Sequence, residues 1–178
     1  PFDEDTPQRP LSPYGVAKLA GGLYLEVYGA LHGLAGTTLA LANVYGPRQD
    51  PNGEAGVVAI FAGLLLSGRP CTVFGTGEQI RDFVYVADVA DALLAAAERG
   101  NGQLFNIGTG VGTSVNDLYR TMAAIVGGPD DPERGSARPG ELDRSVLDAT
   151  RAAGELGWRP VTGLDDGLQA TLDWFSDR

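Results

Sequence analysis

The chain has one cysteine, Cys71, and one histidine, His32, among 178 residues. A lone cysteine excludes a disulfide within the chain. Together these two residues cannot make a zinc-type ligand set or the usual nucleophilic triads, so we expect no metal and no hydrolase chemistry of the triad kind. Cys71 begins an apolar run and is interpreted as a small buried residue.

Long apolar runs are also missing. No stretch approaches the ~20 residues that a membrane span needs. The first residues have neither the basic start nor the apolar core of a signal peptide. These patterns predict a cytoplasmic protein with no membrane partner.

Positive charge is scarce, with 13 Lys and Arg against 23 Asp and Glu and a net charge of −10. This balance argues against nucleic acid as a partner. Any anionic ligand must therefore be held by a few local arginines.

The only lysine, Lys18, follows Tyr14 by four residues near the start of a predicted helix. Side chains at this spacing lie on one helix face, and an ammonium near a phenol favours the phenolate form. Tyr14 is therefore a candidate general base near neutral pH. The alternative is a solvated lysine beside an unrelated tyrosine.

Helical and strand-like segments alternate along the chain. Ser12 caps and Pro13 opens a first helix that Gly33 ends. The alternation predicts an α/β fold with parallel strand pairing. Helices are expected near residues 13–32, 57–67, 88–99, 114–126, 149–156 and 164–175, strands near 37–43 (buried), 71–74, 82–86, 104–107 and 146–148, and a loop over 127–139.

The sequence Gly108-Thr109-Gly110-Val111-Gly112 follows a strand and precedes a helix, as a dinucleotide-binding turn does. The fit is poor, because Thr113 stands where the last glycine should be and the next acidic residues fall in a loop. We interpret this segment as a turn that lines a ligand pocket.

Five ordered motifs resemble extended short-chain dehydrogenase/reductases, the NAD-dependent epimerase/dehydratase family that acts on nucleotide sugars. They are SPYGVAK at 12–18, NVYGPRQ at 43–49, RDFVYVADV at 81–89, FNIGTG at 105–110 and LGW at 156–158. Within that family, GEAGVVAIF at 53–61 and RPGE at 138–141 are most similar to UDP-glucose 4-epimerases and their close relatives.

The resemblance implies a nucleotide-sugar 4-epimerase of the UDP-glucose/UDP-galactose type, acting by transient oxidation at C4 with NAD as hydride carrier. Tyr14 would take and return the hydroxyl proton, and Lys18 would hold the nicotinamide ribose. Ala42 and Val44 are implied as further cofactor contacts. A homodimer through the first helix is also implied.

The UDP-sugar substrate needs its own anchors. Arg81 and Arg138 suit a diphosphate because a guanidinium binds it in a bidentate manner. Backbone amides at Gly56 and Val57, at a predicted helix start, could add to the anion site. The resemblance also implies that Asn43 binds near the phosphates and that Glu141 binds the nucleotide ribose.

The resemblance implies an α/β fold made of the late elements of a Rossmann-like sheet and a small substrate-binding domain. Residues 1–50 would end the dinucleotide-binding domain, and residues 51–178 would form mainly the nucleotide-sugar domain, with 82–99 returning to the first. The glycine-rich NAD turn and the catalytic Ser or Thr of the family would then precede the chain. We therefore expect the isolated chain to be inactive.

Two alternatives stay open. A 4,6-dehydratase, decarboxylase or reductase of the same family would share Tyr14 and Lys18. A catalytically silent nucleotide-sugar-binding module would keep the binding residues without turnover. The sequence leaves the sugar and the nucleotide base undetermined.

Overall fold

The computed structural model describes residues 1–52, 56–100, 102–138 and 140–177. Five α-helices and nine short strands alternate in these segments. The helices are α1 (Pro13–His32), α2 (Val57–Leu66), α3 (Val86–Arg99), α4 (Val115–Val126) and α5 (Leu164–Ser176), and a π-helix covers Ala152–Leu156.

The predicted signals for α1 are confirmed. The Ser12 hydroxyl accepts a hydrogen bond from the Gly15 amide at 3.1 Å, and Pro13 occupies the first turn. Gly33 ends the helix in the left-handed conformation, with φ 69°, which glycine adopts without steric cost. Ser114 caps α4 in the same manner as Ser12, accepting from the Asp117 amide at 3.0 Å.

Most strands pair in parallel, which confirms the predicted α/β class. One antiparallel pair, β4 with β7, departs from the expected pattern. The parallel pairs are β1 (Thr38–Leu41) with β6 (Leu104–Ile107), β2 (Asn43–Tyr45) with β5 (Phe83–Tyr85), β3 (Thr72–Phe74) with β8 (Glu133–Gly135), and β4 (Ile80–Arg81) with β9 (Arg144–Ser145); β7 is Thr113–Ser114.

The single buried strand predicted at 37–43 is wrong, because the chain there makes two strands with different partners. The Ala42 amide donates to the Ile107 carbonyl at 2.9 Å, while the next amide, of Asn43, donates to the Asp82 carbonyl at 2.8 Å. The segment is also only half-buried, with Leu41 45% exposed. The predicted strand at 82–86 is likewise shorter, since α3 already begins at Val86.

Three further corrections concern the last third. The predicted loop over 127–139 contains β8, which pairs with β3. The strand expected at 146–148 lies earlier, at Arg144–Ser145, and Leu147 makes only an isolated bridge to Phe2. The helix expected at 149–156 ends as a π-helix, closed by Gly157 with φ 67°.

Two clusters of buried apolar side chains form the interior. The first lies among α2, α4 and α5 and includes Phe61 and Met122. The second lies among α3, β6 and the π-helix and includes Phe105. Strand β5 contributes to both, Phe83 to the first and Val84 to the second, because successive strand residues point to opposite faces.

The buried Cys71 confirms its predicted role. It is 1% exposed, and burial raises the pKa of its thiol to about 11. Since the thiolate is the reactive form, Cys71 is an inert core residue at neutral pH.

Helix α1 has no buried residue. Its apolar face, made of Val16, Ala20, Leu23, Val27 and Leu31, is largely open, with Leu23 50% and Leu31 71% exposed. The opposite side approaches β1, where the Gly22 backbone lies close to the Thr38 side chain. In the part of the chain that the structure describes, no helix is long and apolar enough to cross a membrane.

Candidate active site

Tyr14 and Lys18 lie one turn apart on α1, as the sequence predicts. The Lys18 Nζ atom is 5.1 Å from the centre of the Tyr14 ring, within the range of a cation–π contact. Both residues border a cavity of about 700 Å³ between α1 and β1. Among the described residues the structure records no ion pair of Lys18, so its ammonium can meet a ligand in this cavity.

Tyr14 is the better candidate base when compared with the buried tyrosines. The Tyr14 side chain is exposed, at 62%. Tyr45 is buried, and burial, followed by the nearby Tyr85, raises the pKa of its phenol. Burial also raises the pKa of Tyr119, whose hydroxyl donates to the Pro129 carbonyl at 2.8 Å. A raised pKa opposes deprotonation near neutral pH.

Arg81 and Glu141 form an ion pair at the end of β4. The Arg81 Nη2 atom lies 3.3 Å from the Glu141 Oε1 atom, and the Arg81 side chain is only 15% exposed. Gln79 donates to the second Glu141 oxygen at 3.3 Å and to the Phe74 carbonyl at 3.1 Å. The predicted phosphate and ribose residues are therefore brought together.

Arg138 joins the same group through an aromatic ring. Its guanidinium carbon lies 4.0 Å from the centre of the Phe74 ring, a stacked arrangement typical of arginine. Phe74 and Gln79 were missed by the sequence analysis. Their one sequence signal is their position on either side of the Gly75-Thr76-Gly77 turn, and that signal carries no chemistry by itself. The Pro139 of the predicted RPGE motif lies outside the described residues.

Asn43, Ala42 and Val44 lie where the chain passes from β1 to β2. Asn43 is exposed, and its backbone bond to Asp82 places it beside the residue that follows Arg81. The Ala42 amide donates a hydrogen bond to the Ile107 carbonyl, and the Val44 carbonyl accepts one from Gln49 Nε2 at 3.3 Å. What Ala42 and Val44 can offer a cofactor is therefore chiefly their apolar side chains.

Gly56 and Val57 begin α2, as predicted. Gly56 is the N-cap and makes no side-chain cap bond, so within the described residues the N-cap side chain does not occupy the first amides of the helix, which can bind an anion. The Gln49 amide packs against Gly56, and its Oε1 atom is buried with no partner among the described residues. Residues 53–55 of the predicted motif lie outside the described part of the chain.

Five of the predicted residues fall into two groups, and among the described residues no recorded contact joins Gly56 and Val57 at the start of α2 to either group. Tyr14 and Lys18 face the cavity beside β1, while Arg81, Arg138 and Glu141 belong to one chain of contacts near β4. The bond from Asn43 to Asp82 links the two regions through the backbone. No cluster of three or more His, Cys, Asp or Glu able to hold a metal occurs in the described ranges.

Comparison with known proteins decides the family. Residues 1–108 match the NAD dependent epimerase/dehydratase family. The chain belongs to this family. The family predicted from the five motifs is thereby confirmed.

Members of the epimerase/dehydratase family with high similarity are named as 4-epimerases. UDP-glucose 4-epimerase of Mycolicibacterium smegmatis is 50% identical over 100% of this chain and 57% of that protein. The crystal structure of a Thermotoga maritima UDP-glucose 4-epimerase with UDP-glucose is 47% identical, with a TM-score of 0.97 over 99% of this chain and 57% of that one. A Thermus thermophilus UDP-glucose 4-epimerase complex with NAD is 42% identical, with a TM-score of 0.90 over 98% and 57%.

The chain therefore spans little more than half the length of these proteins. Family members with another reaction are less similar: dTDP-glucose 4,6-dehydratase of Streptomyces griseus is 34% identical over 98% of this chain and 53% of that protein. The structural likeness confirms that the fold is that of Rossmann-type epimerases, matched over part of their length.

Proposed function

We propose that the chain supplies the Tyr–Lys pair and the nucleotide-sugar site of an NAD-dependent UDP-glucose 4-epimerase. The observation that carries the proposal is the Lys18 ammonium 5.1 Å from the Tyr14 ring, with both side chains at an open cavity. The 4-epimerase relatives support it through their similarity over nearly the whole chain.

The residues at this cavity fit the nicotinamide side of NAD. The Lys18 ammonium and the Tyr14 hydroxyl are hydrogen-bond donors for ribose hydroxyls, and Ala42 and Val44 are proposed as apolar contacts. When bound, NAD supplies a hydride acceptor that can return the hydride to either face of the sugar ketone.

Tyr14 is proposed to move the proton. To invert a secondary alcohol without breaking its C–O bond, a base must remove the hydroxyl proton and later return it. Tyr14 has the exposure that this role needs. Lys18 places a positive charge 5.1 Å from the centre of the Tyr14 ring.

The substrate's UDP moiety is proposed to bind near β4. Arg81 and Arg138 would bind the diphosphate, with Asn43 and the amides of Gly56 and Val57 as further contacts. Glu141 would accept hydrogen bonds from the nucleotide ribose. Binding through the part that does not react keeps the ketone in the site.

The proposed domain boundaries remain those expected from the sequence. Residues 1–50, with 82–99 returning, would belong to the dinucleotide-binding domain, and the rest of 51–178 mainly to the sugar-nucleotide domain. The two buried clusters agree with this division only in part. Helix α3 contributes to the second cluster and α2, α4 and α5 to the first, but Tyr45 lies in the first cluster, and Phe105 and the π-helix lie in the second. The cytoplasmic location also stays a prediction.

The second candidate is a 4,6-dehydratase, which would share Tyr14 and Lys18. The lower identity of the dehydratase relative, 34% against 50%, favours the epimerase. A decarboxylase, a reductase and a silent binding module are further alternatives, and the product formed from a UDP-sugar distinguishes them from an epimerase.

The proposal is tested in a chain completed to the length of its relatives, called here the full-length protein. With NAD present, we expect it to interconvert UDP-glucose and UDP-galactose without release of water or carbon dioxide. The isolated 178 residues are expected to be inactive. The cavity between α1 and β1, where the nicotinamide is proposed to bind, is open on one side in the described residues. A 4-keto-6-deoxy product would assign a dehydratase instead, and UDP binding without turnover would assign the silent module.

We further propose that the full-length protein is a homodimer through the apolar face of α1. Exposed apolar side chains such as Leu23 and Val27 need a covering surface, and a two-fold axis lets one helix cover its own copy. Val27→Glu, at a site 51% exposed and outside the lining of the Tyr14 cavity, should therefore shift the mass measured by light scattering from dimer to monomer. Val161→Glu, at a site 82% exposed, should not. A monomeric parent protein with full activity would contradict the proposal.

A further inference from the structure

A buried carboxylate lies at the junction of β4 and β5. Asp82 is 1% exposed, and its carboxylate accepts hydrogen bonds from four donor groups. The donors are the Thr109 amide at 2.9 Å, the Thr109 hydroxyl at 2.6 Å, the Gly110 amide at 3.1 Å and the Leu147 amide at 3.3 Å.

The loop that resembles a dinucleotide-binding turn thus already holds an anion. The structure records no ion pair of Asp82 among the described residues, so backbone amides and one hydroxyl stabilise its charge. The approach is close: a Cβ atom on Gly108 would lie 2.5 Å from the Asp82 Oδ2 atom. Glycine is therefore required at 108 to admit the carboxylate.

The backbone of Asp82 is bonded on both sides as well. Its amide donates to the Ser145 carbonyl in β9 at 3.0 Å, and its carbonyl accepts from the Asn43 amide in β2 at 2.8 Å. Asp82 directly follows Arg81, whose strand β4 is only two residues long. A strand this short has few ladder bonds of its own to fix the direction of the arginine.

We propose that Asp82 is a positioning residue that fixes Arg81 and Asn43 relative to each other, so that both can contact one nucleotide diphosphate. This inference rests on the proposed function. The Gly108-Thr109-Gly110 loop donates hydrogen bonds to the Asp82 carboxylate, and through Asp82 it would align Arg81 and Asn43.

The test measures UDP binding by calorimetry in the full-length protein. Asp82→Asn replaces an acceptor oxygen by a donor nitrogen, and we expect the dissociation constant for UDP to rise about tenfold or more. Asp173→Asn removes a charge at an exposed site bonded to Gln169 and should leave UDP binding unchanged. Thr109→Val should weaken UDP binding, and Thr109→Ser, which keeps the hydroxyl, should restore it.

A second measurement separates positioning from general destabilisation. If Asp82 acts through Arg81, Asp82→Asn should have little further effect on UDP affinity once Arg81 is replaced by alanine. Additive losses would overturn the inference, and so would unchanged UDP affinity in Asp82→Asn. If Asp82→Asn does not fold, the Thr109 pair measured with and without Arg81→Ala decides by the same criteria.

The parent protein separates this inference from the proposed function. Tight UDP binding by the parent together with an unaffected Asp82→Asn overturns the positioning role alone. No UDP binding by the parent overturns both.

Discussion

Tyr14→Phe is expected to lower the turnover of the full-length protein by about 10² to 10⁴, with nearly unchanged affinity for the nucleotide sugar. The substitution removes the phenol oxygen, which in its phenolate form is proposed to accept the substrate proton. It keeps the aromatic ring that lies 5.1 Å from the Lys18 ammonium. The packing of α1 should not change, because Tyr14 is 62% exposed.

The control for this experiment is on the same helix. Tyr24 is 67% exposed, so Tyr24→Phe removes an equivalent hydroxyl from α1 without touching the proposed base. Steady-state kinetics of both variants, with UDP affinity measured separately, then isolates the proton-transfer role. If Tyr14→Phe keeps more than a third of the parent turnover, Tyr14 is not the base.

Local sequence signals were enough to predict where most of the helices lie. The bounds of α1 depend on Ser12, Pro13 and Gly33, which act within one turn of the helix ends. The Tyr14–Lys18 pair could be predicted for the same reason, since four-residue spacing on a helix fixes a shared face.

The strands were less predictable because their partners lie far away in the sequence. Strand β8 forms inside a polar segment because β3 provides a parallel neighbour about sixty positions earlier. Similarly, β1 and β2 are separate strands because the Ala42 amide bonds to the Ile107 carbonyl while the Asn43 amide bonds to the Asp82 carbonyl. Short segments of this kind have little periodicity, so tertiary pairing decides them.

The site shows the same limit. The sequence motifs identified Arg81, Arg138 and Glu141 as candidate site residues. The structure gives their contacts near β4, and their roles in substrate binding stay predictions. Phe74 could not be found in this way, because its relevance depends on Arg138 lying 4.0 Å above its ring. Asp82 was part of a recognised motif, yet its five recorded hydrogen-bond distances join residues 27 to 65 positions apart.

Replacing Arg81 or Arg138 by alanine is expected to weaken UDP binding by about 1.5–3 kcal/mol each, the size of a hydrogen bond to a charged group. This corresponds to a rise of roughly ten- to a hundredfold in the dissociation constant. NAD affinity should not change, because neither arginine borders the cavity of Tyr14 and Lys18. Calorimetric titrations with UDP and with NAD measure the two effects separately.

Arg120 provides the matched control. It also pairs with a carboxylate, at 3.1 Å from Asp117, but its side chain is 65% exposed, and such exposed pairs contribute little. Arg120→Ala should therefore leave UDP binding unchanged. Unchanged UDP affinity in both Arg81→Ala and Arg138→Ala would show that these arginines do not bind the diphosphate, and the anion site would then have to be sought at the start of α2.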